Sequence, residues 1–402
     1  MSGLQRVSGG QHGDGRGPTS AIDAWRAAPR PARPVLRELV IHGPQSRTDL
    51  ARRLGLSSGS LTRLTKPLVE SGLVVERDVR HDPVNGRPTR PLEVVADRLL
   101  FLGLKLTPDR VHATLTTLRA EVVARESAPL TAPSPEEVVA VAGRLADLLT
   151  AAGGPAVAAG VTFGGDGTVP ALVEESELVD SGILGWQRVP IRRLMADRLG
   201  VPCFVKNDVA ALAHSYHWFG EARGVEDFAV VTAGDGVGYA LFVHGRAMRM
   251  TEADVGEFGH QILDPGGPMC PAGHRGCASS YVTTRSILMT AAQGMRRFPT
   301  YREVLRLASD GDPVCREAVR QAAWGLGAVI ANVVNGTTVK RVFLAGEGAD
   351  VARGWRADVD AGLAARRRDT AGVEMTVRPH DFHDWARGAA VVAIRAHVSD
   401  AG

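Results

Sequence analysis

Residues 46–66 read Ser-Arg-Thr-Asp-Leu-Ala-Arg-Arg-Leu-Gly-Leu-Ser-Ser-Gly-Ser-Leu-Thr-Arg-Leu-Thr-Lys and carry the pattern of two short helices joined by a tight turn. Ser46, followed three residues later by Asp49, is typical of a capped helix start. A glycine turn follows, and Ser57 or Ser58 can cap the second helix. Apolar residues recur on one face of that second helix, which therefore has an outer face available for binding.

A helix precedes this stretch and a hairpin follows it. The first helix has Val35, Leu36, Leu39 and Val40 on one face and ends at a Gly-Pro pair. Two strand-like runs, Leu73–Arg77 and Leu92–Val95, flank a polar, basic loop. This order predicts a winged helix-turn-helix domain over residues 31–96. Residues 1–30, of which residues 1–20 are rich in Gly and Ser, are predicted to be a disordered tail.

In a helix-turn-helix the second helix enters the major groove, and its outer face contacts bases and phosphates. Short hydroxyls and cations occupy that face here, while arginines of the preceding helix suit the DNA backbone and arginines of the hairpin loop suit the minor groove. The predicted contacts to double-stranded DNA are Arg47, Arg52, Arg53, Ser58, Ser60, Thr62, Arg63, Lys66, Arg87 and Arg90. Pro67 is predicted to kink the second helix or end it near Thr65. The alternative is a small protein-interaction module with a solvated face.

Charge is distributed unevenly along the 402 residues. Residues 1–96 hold 15 basic and 9 acidic side chains, whereas the remainder holds 32 and 35. A basic head on a mildly acidic body favours a polyanionic partner, although arginine is common throughout the chain. No apolar run of about 18 residues and no secretory leader are apparent, so we expect a cytoplasmic protein with no membrane partner.

From about residue 97 strands and helices alternate, which predicts an α/β body. Three consecutive strands, Leu99–Leu106, Arg110–Leu118 and Glu121–Glu126, open it. Long helices are expected at 208–219, 279–294, 313–334 and 385–397. A glycine-marked strand turn is expected near the start of each half, around Gly103 and Gly234. Such a repeat is typical of a duplicated, two-lobed fold.

Several motifs recur together: Ser46–Ala51 and Gly86-Arg87-Pro88 in the head, and Asn207-Asp208, Gly256–His260 and Cys270–Cys277 in the body. In this combination the chain resembles the ROK family (repressors, open reading frames and sugar kinases) over about residues 30–400. The resemblance implies that residues 97–402 form a two-lobed, actin-like or ribonuclease-H-like sugar-kinase fold that binds the effector and forms the oligomer.

The resemblance also implies roles for four side chains. Asn207 and Glu257 would bind sugar hydroxyls, Asp208 would occupy the position of the general base of the kinases, and His260 would lie between sugar and metal. Taken alone, Asn207-Asp208 more simply indicates a helix N-cap.

A metal loop follows the same pattern with one departure. Family members hold Zn²⁺ with one His and three Cys, a closed structural site. His260, Cys270 and Cys277 match, but Ala272 replaces the middle cysteine. His274 or water could supply the fourth ligand, or the site could stay empty. The alternative is two buried thiols that pack as small apolar groups.

The phosphate-binding segments also depart from the family kinases. These carry Asp-x-Gly-x-Thr after the first strand, where this chain has Gly103–Pro108 with Lys105 at the acidic position. Asp235 would repel a phosphate in the second loop, and Ser279 replaces a sugar-contacting Glu. We therefore expect no enzyme activity and no ATP.

Three hypotheses follow from these motifs and departures. The first is a sugar-controlled transcription regulator, a repressor that binds palindromic operators as a homodimer or homotetramer. The second is an active sugar kinase that also carries a DNA-binding head. The third is a DNA-binding protein whose vestigial body binds no effector.

Overall fold

The computed structural model describes residues 25, 28–81, 88–165, 178–248, 257–337 and 339–399. The chain divides into two compact units. Unit 1 takes Met1–Phe163, Val189–Lys206 and His383–Gly402, and unit 2 takes Gly164–Arg188 and Asn207–Phe382. The predicted domain boundary at residues 96/97 stays a prediction, because unit 1 contains both the head (residues 31–96) and the strands that follow it.

The head consists of three helices and short strand pairs. Its helices are α1 (Arg33–His42), α2 (Arg47–Leu54) and α3 (Ser58–Glu70). Strand β1 (Val74–Glu76) pairs antiparallel with β4 (Leu92–Val94), and β2 (Arg80–His81) pairs antiparallel with β3 (Pro88–Thr89). Ser46 and Ser57 cap α2 and α3 by accepting from the third N–H along the chain. The predicted winged helix-turn-helix is confirmed.

A five-stranded sheet in the order β11-β8-β5-β6-β7 forms the rest of unit 1. The strands are β5 (Leu100–Leu106), β6 (Arg110–Thr117), β7 (Val122–Pro129), β8 (Ala156–Phe163) and β11 (Cys203–Asn207). β5 runs antiparallel to β6 and parallel to β8. Three helices belong with this sheet: α4 (Pro135–Gly153), α5 (Ile191–Leu199) and α13 (Phe382–Ser399).

The expected strand turn around Gly103 is wrong. Gly103 lies in the middle of β5, opposite Thr114 of β6. A Cβ atom there would lie 1.9 Å from the carbonyl oxygen of Ala386 in α13. The residue is therefore a glycine because the helix crosses the strand at close range, and the actual turn lies at Thr107–Arg110, where the Thr107 N–H donates to the Arg110 carbonyl.

Unit 2 repeats the same sheet pattern in the order β14-β13-β12-β15-β16. Its strands are β12 (Phe228–Ala233), β13 (Val237–Val243), β14 (Arg246–Ala247), β15 (Arg341–Ala345) and β16 (Glu374–Val377). β12 runs antiparallel to β13 and parallel to β15, as β5 does with β6 and β8. The expected duplication is confirmed, and Gly234 does lie in the turn between β12 and β13.

The remaining elements of unit 2 are mostly helical. They are β9 (Val179–Ser181), β10 (Trp186–Val189), α6 (Asp208–Phe219), α7 (Ala278–Val282), α8 (Thr284–Met295), α9 (Tyr301–Ser309), α10 (Pro313–Thr337), α11 (Val351–Gly354) and α12 (Arg356–Arg366). The single helix expected over 279–294 is wrong, since Thr283 is extended and caps α8 through the Ser286 N–H. Among the described residues, no helix is long and apolar enough to cross a bilayer.

Candidate functional site

Helix α3 has one buried and one exposed face. Leu61, Thr65 and Leu68 are buried on the inner face. Of the side chains predicted to meet bases, Ser60 is half-buried and the others are exposed: Ser58, Thr62, Arg63 and Lys66. The Thr62 hydroxyl donates to the Ser58 carbonyl at 2.9 Å, one turn back along the helix. The structure therefore brings these five side chains together on one helix, with their polar groups away from the head's core.

Pro67 lies inside α3, so of the two predicted outcomes, a kink or an end near Thr65, the end is wrong. The helix continues through Pro67 to Glu70. Inside a helix, proline removes its own N–H from the helical hydrogen bonds, and its ring crowds the carbonyl of the residue four positions earlier. Leu68, one residue beyond it, is fully buried, so packing against the core holds the last turn in place. The outer face of α3 is therefore one turn longer than the sequence indicated.

Four of the predicted DNA-contacting cations have acidic partners within the head. The pairs are Arg47–Glu76 at 2.5 Å, Arg52–Asp49 at 2.6 Å, Arg53–Glu38 at 3.9 Å and Lys66–Glu70 at 3.8 Å. Within the part of the chain that the structure describes, Arg63 has no such partner. Two of the pairs, Arg52–Asp49 and Lys66–Glu70, have the helical spacing of three or four residues from which an ion pair can be predicted. The partners from other elements, Glu38 and Glu76, depend on the tertiary fold and were missed.

The hairpin that follows α3 carries the predicted wing residues. Arg90 lies between β3 and β4 and is exposed. Arg87, with Asn85 and Gly86, lies outside the described residues. Beside them, Arg77 on the segment after β1 pairs with Glu93 of β4. Of the two predicted wing cations, Arg90 is the one that lies among the described residues.

Asn207 and Asp208 stand at the start of α6. The Asn207 Oδ1 atom accepts from the N–H groups of Val209 and Ala210, at 3.0 and 3.2 Å, and so caps the helix. Asp208 is 8% exposed, and its Oδ1 accepts from the Val209 N–H at 2.8 Å. The plain N-cap interpretation is therefore confirmed for Asn207, and its role in sugar binding stays a prediction.

Glu257 and His260 belong to a segment that lies beside β13, the strand that α6 also contacts. Glu257 is exposed and its carbonyl accepts from the His260 N–H at 3.0 Å, while the preceding Gly256 lies outside the described residues. A Cβ atom on Gly259 would lie 3.2 Å from the Val237 carbonyl oxygen, and one on Gly238 would lie 2.9 Å from Val209. Both predicted effector-binding segments thus contact the first residues of β13.

Four potential metal ligands converge next to this segment. The ligand atoms of His260, Cys270, His274 and Cys277 all lie within 4.8 Å of one another. His260 Nδ1 is 3.6 Å from the Cys270 Sγ atom and 3.8 Å from the Cys277 Sγ atom. In a tetrahedral zinc site, bonds of about 2.3 Å to sulfur and 2.0–2.1 Å to nitrogen put such atoms about 3.5 Å apart. The donor set and its spacing therefore fit Zn²⁺.

The backbone of the loop explains why His274 joins the group. The Cys270 N–H donates to the His274 carbonyl at 2.7 Å, and Met269 bridges Arg275, so the chain reverses between the two ligands. Burial raises the pKa of the Cys270 thiol, which a hydrogen bond from the Ala272 N–H partly opposes. A metal ion would supply the positive charge that a buried thiolate needs.

The segments predicted to correspond to phosphate loops contain hydrogen bonds of their own. The Thr107 hydroxyl lies 2.9 Å from Asp109 Oδ1 and 3.1 Å from the Arg110 carbonyl oxygen. Lys105 is only 5% exposed, and its ammonium lies 5.3 Å from the ring centre of Trp385. In the second segment, the Gly234 N–H donates to Gly236 at 3.0 Å. The side chain between them, Asp235, is exposed.

Two family models match the chain. The MarR family model matches residues 29–83, which span the three helices of the head. The ROK family model matches residues 101–395, which span both five-stranded sheets and their helices.

The chain is similar to two proteins named as repressors and to one solved regulator. The xylose repressor of Caldicellulosiruptor bescii is 26% identical over 318 residues, covering 75% of this chain and 79% of that protein. The N-acetylglucosamine repressor of Escherichia coli O157:H7 is 27% identical over 334 residues, covering 78% and 79%. A solved ROK family transcriptional regulator, a homologue of the E. coli Mlc protein, has a TM-score of 0.73 at 20% identity and covers 95% of this chain and 97% of its own. At that identity the likeness concerns the fold alone. With its ROK segment extending over well more than half of its length, this chain belongs to the ROK family.

Proposed function

We propose that this protein is a DNA-binding transcription regulator that acts as a repressor under the control of a sugar or sugar-derived ligand. The observation that carries the proposal is the exposed polar face of α3, where Arg63 has no acidic partner among the described residues. This face occurs in a ROK-family chain whose relatives are named as repressors.

Within that proposal, side chains of the head divide into two groups. Arg63, with the hydroxyls of Ser58 and Thr62, suits hydrogen bonding to base edges in the major groove. The ion-paired cations suit phosphates, which can replace a carboxylate as the partner of an arginine. The second group consists of Arg47, Arg52, Arg53 and Lys66. Arg90, joined by Arg87, would extend the contacts into the minor groove.

An oligomer follows from the size of a single head. One recognition helix reads only a few base pairs, so such modules act in pairs on half-sites about one helical turn, 34–36 Å, apart. A homodimer or homotetramer of this chain would therefore bind a palindromic operator. Sedimentation of the protein with and without DNA measures the number of copies directly.

The ligand would meet the polar groups that border β13. Asp208 and Glu257 are hydrogen-bond acceptors, and the Asn207 amide nitrogen is a donor, a combination suited to sugar hydroxyls. His260 would contribute through the metal loop. With Nδ1 directed at the two thiols, its Nε2 atom would carry the proton and could donate to a ligand hydroxyl.

Zinc would serve as a structural ion. His260, Cys270, His274 and Cys277 would form a closed Cys₂His₂ site, in which His274 supplies the ligand that the Ala272 substitution removes. The ion would hold the loop of residues 260–277 together beside Glu257.

We infer that the protein has lost kinase activity. Lys105 occupies the position of the acidic residue of the family kinases, and it is buried over Trp385. The Thr107 turn binds its own backbone in place of a phosphate, and Asp235 puts a negative charge at the second segment. A coupled assay over a sugar panel tests this inference. ATP-dependent turnover that disappears in Asp208→Asn would instead establish a sugar kinase that carries a DNA-binding head.

DNA binding is tested by fluorescence anisotropy on the promoter region beside the protein's own gene, at several salt concentrations. Wild type is expected to prefer this fragment over random DNA, and Arg63→Ala to lose that preference. Arg306→Ala, at an exposed ion pair in α9, is the matched control. A protein with no sequence preference at moderate salt would contradict the proposal. Release of the fragment by one sugar of the panel would identify the ligand class, and binding that no sugar or sugar phosphate alters would indicate a vestigial body.

A further inference from the structure

Helix α13 contacts the chain segment that precedes the head. Trp25 lies in the predicted disordered tail, but it is only 4% exposed, and its indole N–H donates to the carbonyl of His397 at 3.2 Å. The two rings lie with their centres 5.1 Å apart and their planes tilted by 32°, and the His397 ring meets the edge of Phe101 in β5. An indole buried with its N–H satisfied is a specific anchor. The last turns of α13 therefore hold the entry to the head against the first sheet.

The same helix holds the β6–β7 turn. Arg387 donates from Nε to the carbonyl oxygen of Ala120 at 2.6 Å. Ala120 is fully buried and has a φ of +56°, a left-handed conformation that alanine adopts rarely. A turn with such a backbone persists only where its surroundings determine it. The arginine contact from α13 is one such determinant.

The residue before Ala120 reaches the head. A Cβ atom on Gly43 would lie 2.7 Å from Nη1 of Arg119, so the guanidinium lies directly against the residue that ends α1. A cation at the carboxyl end of a helix is favourable, because the last carbonyl groups carry partial negative charge.

A second arginine, in the segment between β4 and β5, contacts the chain at the end of α3. Arg98 donates from Nη1 to the carbonyl of Gly72, just beyond the end of α3, at 3.2 Å. The segment between β4 and β5 is also hydrogen-bonded to the β6–β7 turn, since the Leu118 N–H donates to the Ala96 carbonyl at 3.0 Å. Arginines therefore contact the ends of both helices. Arg119, in the β6–β7 turn, lies against the end of α1, and Arg98 donates a hydrogen bond just beyond the end of α3.

We propose that Arg387, Arg119 and Arg98 are positioning residues that make α13 control the orientation of α3, the helix predicted to enter the major groove. The chain passes from unit 2 to unit 1 between Phe382 and His383, the first residues of α13. A helix of 18 residues is about 27 Å long and moves as a rod. A displacement of its first turn therefore reaches both Ala120 and Trp25. The consequence for DNA rests on the proposed function, whereas the coupling itself does not.

Hydrogen exchange of the full-length protein without DNA tests the coupling. Arg387→Met keeps the length of the side chain and removes its donor. We expect exchange of the α1 and α3 amides to become about fivefold faster, the effect of one lost hydrogen bond, with unit 2 unchanged. Arg306→Met, in an exposed ion pair of α9, is the control. Faster exchange confined to the β6–β7 turn and α13 would overturn the proposal.

Two further variants keep the proposal testable if Arg387→Met does not fold. Trp25→Phe keeps an aromatic ring and loses the N–H donor, and Arg119→Met removes the cation at α1; each is expected to loosen the head by about the same factor. On the promoter fragment, Arg387→Met is expected to lower affinity about fivefold with an unchanged salt slope, since no phosphate contact is lost. If the head amides exchange faster in Arg387→Met but the wild type does not bind DNA, the proposed function is refuted and the coupling is not. Unchanged exchange and unchanged affinity would refute the coupling.

Discussion

The Nδ1 atom of His260 lies 3.6 Å from the Sγ atom of Cys270, although the two residues come from different segments. His260 ends the turn that begins with Glu257, whereas Cys270 opens a reversed loop. His260 is also a predicted effector-binding residue. The group of potential metal ligands therefore connects the loop to the predicted effector site. A metal bound there would fix the imidazole ring and leave its other nitrogen directed away from the ion.

Replacing His274 tests whether it is the fourth ligand. We expect His274→Asn to weaken Zn²⁺ binding at least about tenfold, because three remaining ligands leave the coordination shell open. Competition with a chromophoric chelator, together with metal analysis of the purified protein, measures the change. His244→Asn, at an exposed histidine of the same unit, should bind zinc as the wild type does.

A second substitution distinguishes loss of a ligand from damage to the loop. Ala272→Cys restores the cysteine of the family pattern, and in the His274→Asn background it is expected to recover zinc affinity. Wild-type affinity in His274→Asn itself would mean that water completes the site. Loss of affinity in both variants would point to a disrupted loop.

The sequence predicted three metal ligands but left the fourth open, and the reason is geometric. Spacing along the chain did not show that residues 270–274 reverse direction through the Cys270 N–H bond to the His274 carbonyl. Helix caps were predicted correctly because a cap depends on neighbours within three residues, as at Ser46 and Ser57.

Features that depend on distant contacts were harder to predict. The sequence predicts a turn around Gly103, although the crossing of α13 is what requires a glycine there. The sequence predicts that Pro67 kinks α3 or ends it near Thr65, but the helix continues to Glu70 and its last turn packs through the buried Leu68. The Arg47–Glu76 pair joins two elements that lie 29 residues apart, and no periodicity reports such a contact.

Arg63 and Arg52 are expected to affect DNA binding differently. Arg63→Ala should cost about 1–3 kcal/mol on the specific site and relax its sequence preference, as expected for a base contact. Arg52→Ala should weaken binding to all sequences alike and reduce the magnitude of the salt slope by about one. Anisotropy titrations against specific and random fragments at several salt concentrations separate the two effects. Equal behaviour of the two variants would show that Arg63 contacts only phosphate.

Removing an acidic partner in the head is expected to strengthen DNA binding. Glu76→Gln breaks the 2.5 Å ion pair with Arg47 and removes a negative charge near the phosphates. An exposed ion pair is worth about 0.2–1 kcal/mol, so affinity should rise about two- to fivefold. Glu317→Gln, which breaks an exposed pair with Arg320 in α10, is the control and should leave affinity unchanged. Weaker binding by Glu76→Gln would mean that the pair is needed to orient Arg47.

Stability is expected to fall in mild acid because of a histidine in β6. Burial, followed by the nearby charges of His383, Arg110 and Lys105, lowers the pKa of His112 to about 4. The unfolded chain binds a proton as the pH falls through about 6.5, whereas the folded chain does so only near pH 4. The free energy of unfolding should therefore be fully retained above pH 6.5 and be about 2 kcal/mol lower at pH 5 than at pH 7 from this group alone.

Urea unfolding of His112→Gln at pH 5 and pH 7 measures that contribution. The variant loses stability at both pH values because the site is buried, but the difference between the two values should shrink by about 2 kcal/mol. His244→Asn removes an exposed histidine and should keep the wild-type difference. An unchanged difference in His112→Gln would mean that the proton is taken up elsewhere. In that case the cations around His112, on β5, β6 and α13, would not disfavour its charged form as their positions indicate.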